Sequence, residues 1–327
     1  MDRRSWLLML LLASFWGASY MFIEIGLREL SPAVVAFTRI ALASAVLAPI
    51  AWHQGAFRDL GGRGKWLVLT AGVQVAGPFW LIAAGQQEIP SALAGILVSS
   101  AAIWTVVLAI WFDHEERATG MRLGGVFLGF AGVVVLFGLD LSASWWALLG
   151  GAAVLLAGLG YAMGGLLIKH RFSDVKPLGL VSAVMFWSAV LLLPAALLSA
   201  PTEVPEIGPI AAVATLGVVG TGISFVIFYW LIGNVGPAKT MLVSYIAPGF
   251  AVVYGATLLD EDITVGTVVG LALILAGSWL GAEGRLPGRL PSGDEPPPAE
   301  VDPGAGAAAP AGPQREAAIR RSSGAAL

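Results

Sequence analysis

Long apolar segments separated by short polar ones dominate the chain. Each segment has about 18 to 23 residues, the length that a helix needs to cross a bilayer, and none alternates like a strand of an outer-membrane barrel. The pattern predicts an all-α integral membrane protein with ten transmembrane helices. They run approximately over residues 6–26, 33–52, 66–84, 91–112, 123–139, 146–168, 178–200, 209–231, 238–259 and 265–282.

The second half of the chain repeats the first at a constant spacing of about 145 residues. The clearest copy is the apolar hairpin of residues 91–132, which returns at residues 236–277 with Glu116 aligned on Glu261. Each repeat holds five spans, and because five is odd the second copy enters the membrane upside down. The sequence therefore predicts two inverted five-helix repeats, the plan of many secondary transporters with a substrate site between the halves.

Lysine and arginine in the short loops give the orientation. If the N-terminus is cytoplasmic, only Arg28 lies in an outer loop. The inner loops then hold Arg3, Arg4, Arg58, Arg63, Lys65, Arg117, Arg122, Lys169, Arg171, Lys176, Arg285 and Arg289. We therefore expect both termini in the cytoplasm and the first apolar block to be an uncleaved span rather than a signal peptide.

Composition agrees with a membrane protein and sets the domain limits. The chain is 57% hydrophobic and 12% charged, and it has no cysteine, which excludes disulfides and thiolate metal sites. The last segment is rich in proline, glycine and alanine and cannot bury a core. We predict a first repeat at residues 1–140, a second at residues 141–284 and a disordered cytoplasmic tail at residues 285–327.

Small residues and prolines mark where helices pack closely or bend. Glycines recur at four-residue spacing, for example at Gly125 and Gly129, which favours helix packing within the chain over packing between two chains. Pro78 and Pro248 lie inside apolar blocks and predict bends, either towards the centre of the bundle or as packing kinks. A homodimer remains open.

Three short motifs resemble a known family. Residues 16–20 (WGASY) are similar to its first-helix signature, Ser31-Pro32 with residues 37–39 (FTR) to its second, and residues 115–119 (EERAT) with the following glycines to a third. Together they resemble the EamA-type transporters of the drug/metabolite transporter superfamily over residues 1 to about 283. The resemblance implies export, or less often import, of small metabolites such as amino acids, nucleosides or drugs, commonly driven by an ion gradient.

Two charged residues inside spans are the first candidates for the pathway, because charge at membrane depth is costly. Arg39 lies about two turns into the second helix, and Glu24 lies near the outer end of the first. An antiparallel hairpin allows a Glu24–Arg39 pair. Alternatively, Glu24 is interfacial and Arg39 is a structural tie to backbone carbonyls. The second repeat has Val184 in place of Arg39, so a gating role for the arginine is asymmetric.

The remaining candidates are polar and aromatic residues within the spans. A mostly apolar cavity needs a few such groups, and the helices of the repeat supply Trp16, Tyr20, Gln74, Trp80, Trp104 and Tyr245. Glu116 and Glu261 begin glycine-rich helices, and with Pro248 we interpret them as structural. Their charge would stabilise the N-terminus of the helix that follows each.

These features predict a secondary active transporter of the inner or plasma membrane, exporting small organic metabolites by alternating access. A metabolite importer of the same fold is one alternative, and a non-transporting membrane protein or enzyme is another. No nucleophile, metalloprotease or P-loop motif occurs, so we expect no catalytic site, metal or cofactor. The expected partners are a small-molecule solute and lipid, with a proton as a candidate coupling ion and no nucleic acid.

Overall fold

The computed structural model describes residues 2–112, 121–139 and 144–283, and the described chain is helical without any strand. The first part contains α1 (Arg3–Leu27), α2 (Pro32–His53), α3 (Gly64–Thr70), α4 (Gly77–Gly85), α5 (Ser91–Val98), α6 (Ala101–Phe112) and α7 (Met121–Leu139). The second contains α8 (Trp145–Arg171), α9 (Pro177–Leu198), α10 (Ile207–Gly217), α11 (Ser224–Val235), α12 (Pro237–Thr240), α13 (Val243–Leu258) and α14 (Val265–Glu283).

Eight helical segments of the described chain are long and apolar enough to cross a membrane. Several of them join shorter helices, because α3 continues into α4 and α10 continues into α11. The shorter apolar helices Val243–Leu258 and Val265–Gly281 lie where the ninth and tenth spans are predicted. The all-α membrane fold is thus confirmed, and the count of ten spans stays a prediction.

Two π-helical segments widen the third and eighth spans at their middles. They cover Ala71–Ala76, between α3 and α4, and Val218–Ile223, between α10 and α11. In the second segment, Thr221 Oγ1 donates to Leu216 O at 2.9 Å and Ser224 Oγ donates to Val219 O at 2.9 Å. Both bonds reach back five residues and satisfy carbonyls that the wider turn displaces. Such bulges occur often at functional sites.

Helices α7 and α14 pack through glycines on both sides. A Cβ atom added to Gly125 would lie 2.7 Å from Gly277 O, and one added to Gly132 would lie 2.9 Å from Gly270 O. As residue numbers rise along α7 they fall along α14, so the two helices run antiparallel. These glycines are used for packing inside the chain, as the four-residue spacing predicted.

Helices α2 and α9 pack in the same antiparallel manner. Ser31 Oγ, at the start of α2, lies 2.8 Å from Ser199 Oγ, at the end of α9. At the other end, Gly179 contacts the carbonyl of Ala56 so closely that no Cβ would fit. Between these contacts, Ile40, Leu47 and Val184 belong to one buried cluster. Both pairs join helices that the 145-residue spacing relates.

A hydrogen bond joins the loop after α1 to the start of α10, and an ion pair joins the loop after α8 to the start of α3. Glu29 Oε2 accepts from Glu206 N at 2.7 Å. Asp174 pairs with both terminal nitrogens of Arg63, at 2.7 and 2.6 Å. The hydrogen bond from Arg63 lowers the pKa of Asp174, and Asp174 raises that of Arg63. The stabilisation from this pair is therefore constant near neutral pH and is lost only in acid, as pH falls through the lowered pKa of Asp174.

Replacing Gly125 by alanine should destabilise the protein, because the new methyl group would meet the backbone of α14. Overpacking of this kind costs about 1 to 3 kcal/mol. We expect a lower thermal transition temperature for the detergent-solubilised variant, measured by size-exclusion chromatography after heating. Gly124→Ala is the matched control, since nothing lies within 4 Å of its added Cβ. Equal transition temperatures for the two variants would contradict the packing role.

Candidate functional site

Arg39 is a buried cation at the centre of the bundle. It lies on α2 and keeps only 9% of its accessible surface. Its Nε donates to Thr221 Oγ1 at 2.8 Å, and its guanidinium carbon lies 4.0 Å from the centre of the Phe79 ring. The three residues, which we call the Arg39 centre, join α2 to α4 and to the second π segment. A desolvated cation over an aromatic ring gains about 2 kcal/mol, which offsets part of the burial cost.

The local fold explains how the Arg39 centre forms. Gly217, at the end of α10, packs so tightly on α2 that an added Cβ would lie 3.0 Å from Arg39 O. This contact brings the following π segment beside the arginine. Thr221 then accepts from Arg39 while donating to Leu216 O, so one hydroxyl pairs with both the displaced carbonyl and the Nε–H of the guanidinium.

The predicted alternatives for Arg39 both need correction. No Glu24–Arg39 pair forms, and the only ion pair in the described part of the chain is Arg63–Asp174. Arg39 is also not tied to backbone carbonyls, because its hydrogen bond goes to the Thr221 hydroxyl. The hairpin of α1 and α2 does not pair the two charges, because the partners of Arg39 come from α4 and from the π segment of residues 218–223.

Thr221, Phe79 and Gln86 were not among the predicted site residues. For Thr221 a signal existed, because the 145-residue spacing aligns it with Ala76 and aligns Arg39 with Val184. Ala76 and Val184 are 4% and 2% exposed, so the related position in the other half is an apolar contact. Thr221, like Arg39, is therefore a polar residue within a span that the 145-residue spacing aligns with an apolar one.

Helices α1 and α13 meet in a close contact beside Trp16 and Tyr20. A Cβ added to Gly17 would lie 2.5 Å from Phe250 Cβ and 2.7 Å from Ala247 O. Ser14 Oγ and Tyr254 Oη form a hydrogen bond of 2.7 Å between the same helices. Trp16 packs against Phe228, with ring centres 5.4 Å apart, and Tyr20 packs over Gly95. Pro248 is buried in α13, next to this contact.

Two cavities lie at opposite ends of α1. The Glu24 cavity has a volume of about 320 Å³ and is lined by Glu24, Arg28, Gln86, Gln87, Glu88, Ile89, Pro90, Leu259 and Glu261. The Arg4 cavity has a volume of about 470 Å³ and is lined by Asp2, Arg4, Ser5, Trp230, Asn234, Val235 and Lys239. Because both include residues of α1, the α1–α13 contact lies between them along the same helix.

Glu261 stabilises a helix N-terminus, but not that of the helix that follows it. Its two carboxylate oxygens accept from Ser91 N at 2.7 Å and from Ala92 N at 2.9 Å, which caps α5 in the first half of the chain. The prediction that Glu261 stabilises the N-terminus of the following helix, α14, is therefore wrong, because the helix that it caps is α5. Gly255 leaves room for this carboxylate, because an added Cβ would contact Glu261 Oε2. Glu116 lies outside the described residues.

The other predicted lining residues are dispersed. Trp104 packs edge-on against Phe130 at 5.4 Å, and Tyr245 lies 5.7 Å from the Trp279 ring. The Gln74 side chain contacts α8 where Gly164 leaves space. Trp80 is 43% exposed and lines neither of the two cavities. The structure thus brings Trp16 and Tyr20 near the α1–α13 contact and does not gather the whole set into one cavity.

The described side chains include no cluster of three or more histidine, aspartate or glutamate residues that would hold a metal ion. What the site offers is different in kind. It consists of one buried cation, held by a hydroxyl and an aromatic ring, and two separate cavities with charged linings. Such an arrangement suits binding and passage of a polar solute.

The sequence is similar to those of several proteins that are named as transporters or efflux pumps. An uncharacterized transporter of Archaeoglobus fulgidus is 27% identical over 290 residues, covering 86% of this chain and 98% of that protein. A probable amino-acid metabolite efflux pump of Escherichia coli K12 is 26% identical, covering 87% and 96%. The uncharacterized inner membrane transporter YedA of the same strain is 25% identical, covering 81% and 88%.

A solved crystal structure shares the fold, with a TM-score of 0.62 at 18% identity, covering 88% of this chain and all of the other. The model of the EamA-like transporter family matches residues 4–138 and again residues 148–281. With its long apolar helices, this chain is a multi-pass membrane protein and belongs to the EamA-like transporter family.

Proposed function

We propose that this protein is a secondary active transporter of the inner or plasma membrane that exports small organic metabolites by alternating access. The observation that carries the proposal is the Arg39 centre, a buried cation without a carboxylate partner among the described residues, in a bundle with a cavity at each end of α1. An unneutralised charge at membrane depth is costly and marks substrate or ion pathways.

The proposed architecture has ten spans in two inverted repeats, at residues 1–140 and 141–284, with both termini cytoplasmic and a tail at residues 285–327. The antiparallel packing of α2 on α9 and of α7 on α14 supports inversion, because each pair joins helices related by the 145-residue spacing. The two separate matches to the family model support the division into repeats. The distribution of lysine and arginine supports the orientation.

In this proposal the α1–α13 contact is the barrier between the two faces of the membrane. Gly17 and Ala247 close the space between the Glu24 cavity and the Arg4 cavity. Alternating access then requires α1 to move relative to α13 and the π segment of residues 218–223. Arg39 is the gating residue, because its bond to Thr221 holds α2 against that segment. Pro248 and the wider π turn provide backbone that can rearrange with few hydrogen bonds lost.

The residues closest to this barrier, Trp16 and Tyr20, form the apolar part of the proposed pathway, with Glu24 at one mouth. Gln74, Trp80, Trp104 and Tyr245 remain proposed lining residues of other conformations.

Export of amino acids, related compounds or drugs is favoured by the relative named as a probable amino-acid metabolite efflux pump. Import by the same fold is the alternative, and an enzymatic role is disfavoured by membership of a transporter family. Coupling to protons and a homodimer are further proposals.

Transport by purified protein in liposomes tests the function. Vesicles loaded with a mixture of amino acids and related metabolites are given a proton gradient, and the solutes that leave are identified by mass spectrometry. We expect selective, saturable efflux that accelerates when the receiving side is acidified, and loss of that acceleration with a protonophore. Efflux identical to that of protein-free vesicles for every solute would refute the transporter proposal.

Substituting Arg39 by glutamine should abolish most transport while the protein still inserts and purifies. A hydrogen bond to a charged group contributes about 1.5 to 3 kcal/mol, so we expect a rate about 10- to 100-fold lower. Thr221→Val, which keeps the shape but removes the hydroxyl, should give a similar loss, and Thr221→Ser should be close to wild type. The measurement is the initial efflux rate in liposomes. Normal rates in both Arg39→Gln and Thr221→Val would exclude the gating role.

Replacing Gly17 by alanine should force α1 and α13 apart, because the new methyl group would meet Phe250 and the backbone of Ala247. The chain has no cysteine, so a single Ala13→Cys substitution, at a position 0% exposed, reports the separation. We expect slow labelling of Ala13→Cys by a membrane-impermeant maleimide and faster labelling when Gly17→Ala is added. Gly249→Ala is the matched control on α13, since nothing lies within 4 Å of its Cβ. Labelling that Gly17→Ala leaves unchanged would place the barrier elsewhere.

A further inference from the structure

The Glu24 cavity contains hydrogen-bond acceptors that the protein itself does not use. Glu24 Oε2 and Gln86 Oε1 are both buried and have no partner within the described chain. Gln86 is only 3% exposed and lines the cavity, as does Glu24. Ser91 Oγ, one residue beyond the lining residue Pro90, is a third buried oxygen without a partner. A buried polar group without a hydrogen-bond partner destabilises the folded protein, so such atoms mark a ligand or a functional role.

The surrounding contacts fix which atoms are available. Gln86 Nε2 donates to Tyr20 O at 2.9 Å, which orients the amide and leaves its oxygen as a free acceptor. Of the other two carboxylates that line the cavity, Glu261 already accepts from Ser91 N and Ala92 N, and Glu88 is exposed to solvent. The Glu24 carboxylate does not reach Arg39, whose bond goes to Thr221. Among the buried oxygens of the lining residues, Glu24 Oε2 and Gln86 Oε1 therefore remain for a bound group.

We propose that Glu24 and Gln86 form a binding site for the protonated amine of a solute at this mouth of the pathway. An ammonium group carries three donors on one charged atom, and its best partners are a carboxylate and a neutral acceptor. A metal ion fits less well, because the described residues form no cluster of three or more acidic or histidine ligands and Arg28 adds positive charge to the same cavity. The volume of about 320 Å³ suits a small metabolite.

Arg28 adds a positively charged group to the site. It lines the same cavity and carries the positive charge that a carboxylate of the solute would pair with. A simple amine and a zwitterion share the ammonium group, and they differ in whether Arg28 contributes. The site rests on the proposed transport function for its biological purpose, but amine binding is measurable without transport.

Binding to the intact protein in detergent tests the site with three probes of one carbon skeleton. L-Leucine has both charges, 3-methylbutylamine has only the ammonium group, and 4-methylpentanoate has only the carboxylate. We expect titration calorimetry to detect the two amines and not the acid. Glu24→Gln and Gln86→Leu should each weaken amine binding by at least about tenfold, as for a lost charged or buried hydrogen bond. Both variants are first checked for a monodisperse elution profile, so that either one suffices if the other misfolds.

Glu88→Gln is the matched control, because Glu88 lines the same cavity but is exposed. It removes the same charge and should change amine affinity less than twofold. Tighter binding of leucine than of 3-methylbutylamine, abolished by Arg28→Gln, would identify a zwitterion site, and equal binding would identify a site for the ammonium group alone. The proposal is overturned if the wild type binds neither amine, or if Glu24→Gln and Gln86→Leu bind as the wild type does. An equal loss in Glu88→Gln would overturn it as well.

The outcome separates this inference from the transport proposal. Amine binding that depends on Glu24 and Gln86, without solute flux in liposomes, would support the site and refute the transporter. Selective flux that both variants leave unchanged would support the transporter and refute the site.

Discussion

The hydrophobic effect provides little driving force for helices to associate within a bilayer. The rest of this structure depends on the interactions that replace it. Apolar side chains gain almost nothing by moving from lipid to protein, so attraction has to come from close backbone approach. Here it comes from glycines on facing helices, above all Gly125, Gly132, Gly270 and Gly277 between α7 and α14. Since these contacts leave no space for a Cβ, they specify one register and hold the two halves of the bundle together as a frame.

The tightly packed bundle accommodates one energetically unfavourable group, the buried guanidinium of Arg39. Its cost is reduced by a ring face and a hydroxyl rather than by a counter-charge. A carboxylate partner would hold the guanidinium strongly and would neutralise the site. The weaker partners leave a net positive charge in the bundle, which suits a residue that is proposed to exchange contacts when the two halves move. The other half has Val184 and Ala76 at the related positions and bears no such cost.

Much of the fold could be predicted from the sequence, because each span is long, apolar and bounded by charge. The packing of glycines within the chain followed from spacing alone. The site was harder to predict. Arg39 could be identified as a charge inside a span. Its partner Thr221 lies 182 residues away and is brought close by a π turn, which no local sequence pattern predicts. Glu261 caps α5 rather than its own following helix for the same reason, since this contact joins residues that lie 170 positions apart in the sequence. The predicted hairpin pair of Glu24 and Arg39 failed because sequence proximity was taken for contact.

The two cavities at the ends of α1 have a consequence for the energetics of a transport cycle. One carries three carboxylates and one arginine, and the other carries Arg4 and Lys239 beside Asp2. In the proposed transport cycle a solute would therefore meet different chemistry at the two membrane faces, although the surrounding helices are proposed to be related by duplication. This difference cannot drive accumulation, because without a coupled gradient the concentrations must still equalise. It does allow the half-saturating concentration on each face to differ, with a compensating difference in maximal rate. In this way a transporter built from the two proposed repeats could be matched to a cytoplasm rich in its solute and an exterior that is poor in it.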